Sequence, residues 1–281
     1  MSSVLVRLLG VVLISVGLGL GTNSSAMLIG MAHRGIVPDL ILFADTGGEK
    51  PHTYTFLSIL NEWLREVNFP QITVVRGDLP QQVIDETLEG EVLRLWNMPS
   101  KAYGFSTCSQ KWKIAPQDKY IKKFLSAKGL PEDTVITKLI GFDADEAHRA
   151  AFSSPVEGQF RRDYPLIDWQ WGRMECIQAI EKEGLPLPGK SSCFFCPSTK
   201  KYEIIQLMRQ YPEYLERALE IERRGMSLEK GPEPKSTKGL GRSLNWGEFV
   251  ERVRKAPTDA ELQELLYPEE TVTCDYCYDG V

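Results

Sequence analysis

Ser15-Val16-Gly17-Leu18-Gly19-Leu20-Gly21-Thr22-Asn23-Ser24-Ser25 is the stretch that decides the fold. Ahead of it, residues 11–16 form a short apolar run rich in β-branched side chains, without polar alternation. That is the pattern of a strand covered on both faces of a parallel sheet. Behind it, residues 23–34 read as a helix that Gly35 stops. A strand that passes through glycines straight into a helix opens a βαβ unit. At such a junction, unpaired backbone N–H groups and the positive end of the helix dipole attract anions, and glycine lets the backbone approach closely. Thr22, Ser24 and Ser25 add hydroxyls. The plain alternative is a tight turn capped by Asn or Ser, and the rest of the chain bears on the choice.

Residues 40–44 are again continuously apolar, 51–66 read as a helix, 72–75 as a strand and 80–89 as a helix. An irregular stretch at 96–109 precedes a helix at 116–128, a buried strand at 135–142 and a helical segment at 143–151. Residues 164–169 read as an extended edge segment, and 172–183 as a helix closed by Gly184. The alternation predicts a doubly wound, mainly parallel α/β sheet with helices on both faces and right-handed crossovers. From Cys193 the character changes to helices at 200–209 and 212–224, a polar linker at 230–241, a short helix from Trp246 and a cysteine-bearing tail. Two domains are expected: an α/β domain over 8–190 and a small helical, cysteine-pinned lobe over 191–281.

The chain has 281 residues and a net charge of −5. Its overall field therefore does not draw it onto a polyanion, and any such ligand must be gripped locally. The basic stretch 230–242, KGPEPKSTKGLGR, reads either as a local phosphate contact or as a solvated hinge. The first 26 residues, with Arg7 and an apolar run to Gly21, have the outline of a secretory signal. Cleavage there would remove the first strand of the βαβ unit, and the run is shorter than the roughly 18 residues of a membrane span. A soluble cytoplasmic protein without a membrane segment is expected. Oligomeric state is not legible.

Past the second strand, residues 40–54 read LILFADTGGEKPHTY. A glycine-rich strand–loop–helix followed by a strand ending in Asp-Thr-Gly-x-Glu-x-Pro resembles the PP-loop ATP pyrophosphatases, in their phosphoadenosine-phosphosulfate (PAPS) reductase-like branch. The family's S-G-G-x-D-S loop matches Gly19-Leu20-Gly21-Thr22-Asn23-Ser24, with the leading Ser and first Gly replaced and Asn23 at the acidic position. Cys108-Ser109-Gln110-Lys111-Trp112-Lys113-Ile114-Ala115-Pro116 resembles its C-x-x-x-x-K-x-x-P stretch. Residues 140–149, from Ile140-Gly141 to Glu146-Ala147-His148-Arg149, resemble its I-G-x-x-x-x-E-x-x-R strand end. The likeness spans about residues 10–200, with the pieces in the family's order.

The resemblance implies an adenine nucleotide alpha-hydrolase-like fold with ATP and Mg2+ as ligands. Gly21, Thr22, Asn23, Ser24 and Ser25 would cradle phosphates, Ala44, Asp45, Thr46 and Gly47 would lie beside the adenosine, and Asp45 and Glu49 would hold ribose or magnesium. Lys111, Lys113 and Arg149 would face the α-phosphate, with Glu146 orienting Arg149 or acting directly. Their plainer readings are a turn at 45–48 and solvated surface charges.

The implied activity is ATP pyrophosphatase chemistry, forming AMP and pyrophosphate while activating an acceptor, such as a nucleic acid, for sulfur transfer. A cysteine desulfurase-type donor is the implied partner. A weak nucleotide-binding module acting through partners is the second reading. A sulfonucleotide (PAPS/APS) reductase is the third, and the ending Cys277-Tyr278-Asp279-Gly280-Val281 argues against it, because those reductases end in a Glu-Cys-Gly-Ile-His type motif. Cys193, Cys196, Cys274 and Cys277 form two C-x-x-C pairs suited to one zinc ion. With Cys108 they equally suit a four-iron four-sulfur cluster, which the resemblance favours. For such a cluster a fourth ligand beside Cys108, Cys193 and Cys196 would come from Cys176, Cys274 or Cys277; taken alone, Cys176 reads as a buried thiol.

Overall fold

The computed structural model describes residues 12–77, 87–99, 101–102, 105–151, 155–227, 238–241, 243–256 and positions 258, 262, 263 and 266. Two compact units emerge. One joins residues 1–78 to 112–191, and the other joins 79–111 to 192–281. Residues 79–111 group with residues 192–281.

In chain order, β1 (Val12–Leu18), α1 (Thr22–His33), β2 (Leu40–Ala44), α2 (Pro51–Glu66) and β3 (Thr73–Val75) come first, and α3 (Leu88–Leu95) follows in the second unit. The chain re-enters the first unit for α4 (Ala115–Ala127), β4 (Val135–Ile140), α5 (Ala147–Ala151), β5 (Val156–Glu157), β6 (Phe160–Asp163), α6 (Pro165–Asp168) and α7 (Arg173–Lys182). It closes in the second unit with α8 (Lys201–Gln210), α9 (Pro212–Gly225) and α10 (Trp246–Lys255).

The sheet order is β3-β2-β1-β4-β6-β5, parallel throughout except for the β5–β6 hairpin. Successive side chains of a strand point to opposite faces, and here both faces are apolar. Val16, Leu18, Ile41, Phe43 and Leu139 enter one core with α1, α2 and α7, whereas Leu13, Leu40, Leu42 and Ile136 enter another with Ile121 and Leu125 of α4. This is the doubly wound α/β sheet expected from the uninterrupted apolar runs.

α1 is buried nearly all round, including Ala26, Met27, Leu28, Ile29 and Met31, because it lies between the sheet and α7. Gly30 lets the Trp169 ring in, since a Cβ there would sit 2.3 Å from Trp169 Cζ3. Arg34 stacks over that ring at 4.0 Å.

Three local expectations change. Residues 164–169 are not an extended edge: Pro165 occupies the first position of the short helix α6, where its missing N–H is no loss. The strand of this region is β6, parallel to β4, whose Phe-Arg-Arg-Asp sequence hides a half-exposed alternation. The helix read at 80–89 is α3, capped by Thr87 Oγ1 accepting from Gly90 N at 3.1 Å, and residues 80–86 lie outside the described residues.

In the second unit, Phe194, at 0 % exposure, meets Phe195 and Tyr214 edge to face. The buried Glu222 carboxylate of α9 accepts from Leu240, Trp246 and Gly247 backbone N–H groups, tying the start of α10 to α9. A buried charge so hydrogen-bonded is tolerated.

Candidate functional site: the strand ends of the first unit

Open α/β sheets bind ligands outside the carboxyl ends of the strands, where strand order reverses. In this sheet the reversal falls between β1 and β4. β1 gives way at Leu18 to Gly19-Leu20-Gly21, and Leu20 adopts a left-handed φ of 59° while burying its side chain at 1 % exposure. Gly21 is the N-cap of α1 and has no side chain to cover the first-turn N–H groups. Those groups have no partner inside a helix and are the natural anion donors.

The two serines close the turn from within. Ser24 Oγ accepts from Gly19 N and donates to Gly21 O, both at 3.3 Å, and Ser25 Oγ donates to Gly21 O at 2.9 Å. Gly141, just past β4, packs against this helix start: a Cβ there would lie 2.9 Å from Ser24 Cα and N.

Asn23 faces the β4 end. Its amide nitrogen donates to Asp143 Oδ2 at 2.8 Å and Glu146 Oε2 at 3.1 Å, and its oxygen accepts from Arg173 Nη1 at 3.0 Å. Burial first, and then the Glu146 charge, raises the Asp143 pKa. An amide at position 23 therefore bridges two carboxylates that an aspartate would repel. Arg149 pairs with Glu146 at 2.5 Å, the i,i+3 ion pair expected on sequence, and lies 4.1 Å over the Phe142 ring. Phe142 in turn stacks on Tyr164.

The β2 end is built differently. Asp45, 4 % exposed, accepts from Gly47 N and Tyr54 Oη at 2.8 Å each through Oδ1, and from Arg76 Nη2 at 2.9 Å through Oδ2. Its carboxylate holds the turn. Gly47 takes φ 70°, and Gly48 N donates to Thr46 Oγ1 at 3.2 Å. Glu49 is the exception here. Its buried Oε1 accepts from Lys113 Nζ at 2.8 Å, whereas Oε2 is buried without a hydrogen-bond partner. A lone acceptor of that kind costs free energy until something donates to it.

Lys111 belongs to the second unit, where it pairs with Glu91 of α3. Each cation nominated from sequence is thus held by a carboxylate.

Sequence reasoning missed a third wall. Ser191 Oγ donates to Gly19 O, and a Cβ on Gly21 would meet Ser191 Cβ at 3.5 Å. One residue back, Lys190 O lies 3.3 Å from His52 Nε2, and a Cβ on Gly189 would sit 2.5 Å from that same ring atom. The Gly-Lys-Ser-Ser run at 189–192 directly precedes the Cys193/Cys196 C-x-x-C pair. Burial is the main cause of a lowered His52 pKa.

Cys108, Cys193 and Cys196 all fall in the second unit, and Cys274 and Cys277 lie outside the described residues. Among the described residues no three His, Cys, Asp or Glu side chains gather to hold a metal ion, so Cys108, Cys193 and Cys196 alone do not fit a zinc or cluster site. Cys176, buried on α7, has its thiol pushed up to about 12, chiefly by burial. No described helix is long and apolar enough to cross a membrane.

No family model matches the chain, and no curated protein matches it either. Among solved structures, it is similar to one described as U34-tRNA thiolase NcsA from Methanococcus maripaludis with its 4Fe-4S cluster. The TM-score is 0.42 at 13% identity, over 74% of this chain and 70% of that one. The functional reading rests on the site's own residues.

Proposed function

We propose that this protein binds ATP across the ends of β1, β2 and β4 and splits it between the α- and β-phosphates. The observation that carries this reading is the uncapped, glycine-led start of α1 at the sheet's switch point. The N–H groups of the first turn take phosphate oxygens. Glu49 Oε2, lacking a donor, takes a ribose hydroxyl or a magnesium-bound water, while Asp45, fully engaged, shapes the turn.

In the step itself an acceptor oxygen attacks the α-phosphorus, its bond to the bridging oxygen breaks, and pyrophosphate leaves with that electron pair. Sulfide-level sulfur then attacks the adenylated carbon, and AMP leaves with the carbon–oxygen electron pair; from a persulfide donor, a second thiol would attack the donor sulfur and end as the disulfide. Lys113 and Arg149 would approach the α-phosphate by exchanging their carboxylate partners for it. Magnesium, where bound, would offset charge on the leaving pyrophosphate. The sulfur step and a nucleic-acid acceptor are supported by the resemblance of residues 10–200 and by the C-x-x-C pairs. A cysteine-held cluster or zinc ion belongs to the same proposal, with its ligand set drawn from Cys108, Cys193, Cys196, Cys274 and Cys277.

One observation favours the second reading, a binding module without turnover: Lys111, Lys113 and Arg149 are all paired with carboxylates. Calorimetry with ATP, combined with pyrophosphate and AMP assays over candidate RNA and DNA acceptors and a sulfide source, separates the two. The enzyme reading expects binding plus stoichiometric AMP and pyrophosphate. ATP binding without release across all acceptors supports the module, and no binding sinks both.

A further inference from the structure

We propose that Lys190 is a phosphate-binding cation of the nucleotide site, carried on a strap, residues 189–191, that closes over the glycine loop. The inference deepens the nucleotide-binding reading and rests on it.

The loop residues 17–25 contain no cation of their own, yet a triphosphate carries several negative charges. The strap is fixed on both sides of Lys190. On its C-terminal side, Ser191 Oγ donates to Gly19 O, and Ser191 Cβ faces Gly21. On its N-terminal side, Gly189 is pressed so close to the His52 ring that a Cβ would overlap it at 2.5 Å. The Lys190 carbonyl itself lies 3.3 Å from His52 Nε2.

His52 stands three residues after Glu49, at the start of α2, so the strap spans from the β2 end to the β1 loop. Leu187 and residues 189–190 are exposed, and the backbone that carries Lys190 is pinned beside the first turn of α1. An ammonium on a flexible four-carbon stem is a common point-charge partner for phosphate. The strap's geometry also explains why a glycine precedes the lysine and a serine follows it: one admits the histidine ring, and the other ties the strap to the loop.

The test is calorimetric binding of ATP, AMP and adenosine to the full-length wild type and to Lys190→Ala and Lys190→Arg, with thermal melts as a folding control. Wild type is expected to bind ATP more tightly than AMP. Lys190→Ala should weaken ATP by roughly tenfold to a hundredfold, the effect of losing one charged hydrogen bond, and leave adenosine unchanged. Lys190→Arg should recover part of the loss.

ATP affinity equal to wild type in Lys190→Ala overturns the assignment. So does an equal loss for ATP and adenosine, which would mark the strap as a structural wall. A wild type that binds no adenine nucleotide overturns the underlying reading as well, and is told apart from the first two because it is seen before any substitution.

Discussion

The ends of β1 and β2 lie side by side in one sheet and solve opposite problems. At the β2 end, side chains consume one another: Asp45 takes donors from Gly47, Tyr54 and Arg76, while Glu49 Oε2 is left over. At the β1 end, the serine hydroxyls bond back to the loop and the first turn of α1 has no side-chain cap. The more conspicuous motif is therefore scaffold, and the plainer one presents the donors. Residue identity alone does not say which groups of a motif are still available to a ligand; hydrogen-bond accounting does.

The largest expected effect breaks the scaffold end. Asp45→Ala removes the buried acceptor shared by Arg76, Tyr54 and the 47 amide, and should cost about 2–4 kcal/mol in urea unfolding. If stability is unchanged, the β2 turn does not depend on that carboxylate and the contrast between the two ends fails.

Next is Gly141→Ala, which leaves every hydrogen-bonding side chain in place but pushes a methyl into the Ser24 backbone. A loss of about 1–3 kcal/mol is expected, as for overpacking, with nucleotide affinity falling further than stability alone explains because the donors at the start of α1 move. Affinity kept at the wild-type level would show that the phosphates do not sit there.

The smallest effect sharpens the comparison by making the β1 end resemble the β2 end. Asn23→Asp sets a third carboxylate against Asp143 and Glu146. Like charges raise its folded pKa, so the folded state holds that proton more tightly than the unfolded chain does. The penalty is absent below the unfolded value near pH 4 and grows as pH rises through the raised folded value, reaching roughly 1–2 kcal/mol at pH 7.5. The melting-temperature gap to wild type should widen from pH 4 to pH 7.5. A gap independent of pH would mean that the lost amide donor, and not charge, is what matters.

Much of the fold was legible because central parallel strands write themselves as unbroken apolar runs. β1 and β2 were readable for that reason, β4 from the apolar residues flanking its Thr137-Lys138 pair, and α1 from the helix after the glycines. β6 was not, since a strand with half-exposed arginines and an aspartate looks like a loop, and the residue before Pro165 looks extended although a helix starts there. The long-range partners of the nominated residues were not legible. Asn23 meets Asp143, Glu146 and Arg173, each 120 or more positions away, and Ser191 reaches Gly19 across 172. No local spacing rule carries such pairs; only the closure of the sheet brings them together.

α1 is buried nearly all round, with Trp169 seated on Gly30. Its interior amides should therefore exchange with deuterium only when the whole unit opens, while the few at its first turn exchange through local fraying. Ligand binding should slow the interior amides by the free energy it adds against opening of the whole unit, and the first-turn amides by what it adds to local order. One helix would then carry its own internal standard, in which the sharpness of the step from the first to the second turn reports how much order the ligand adds.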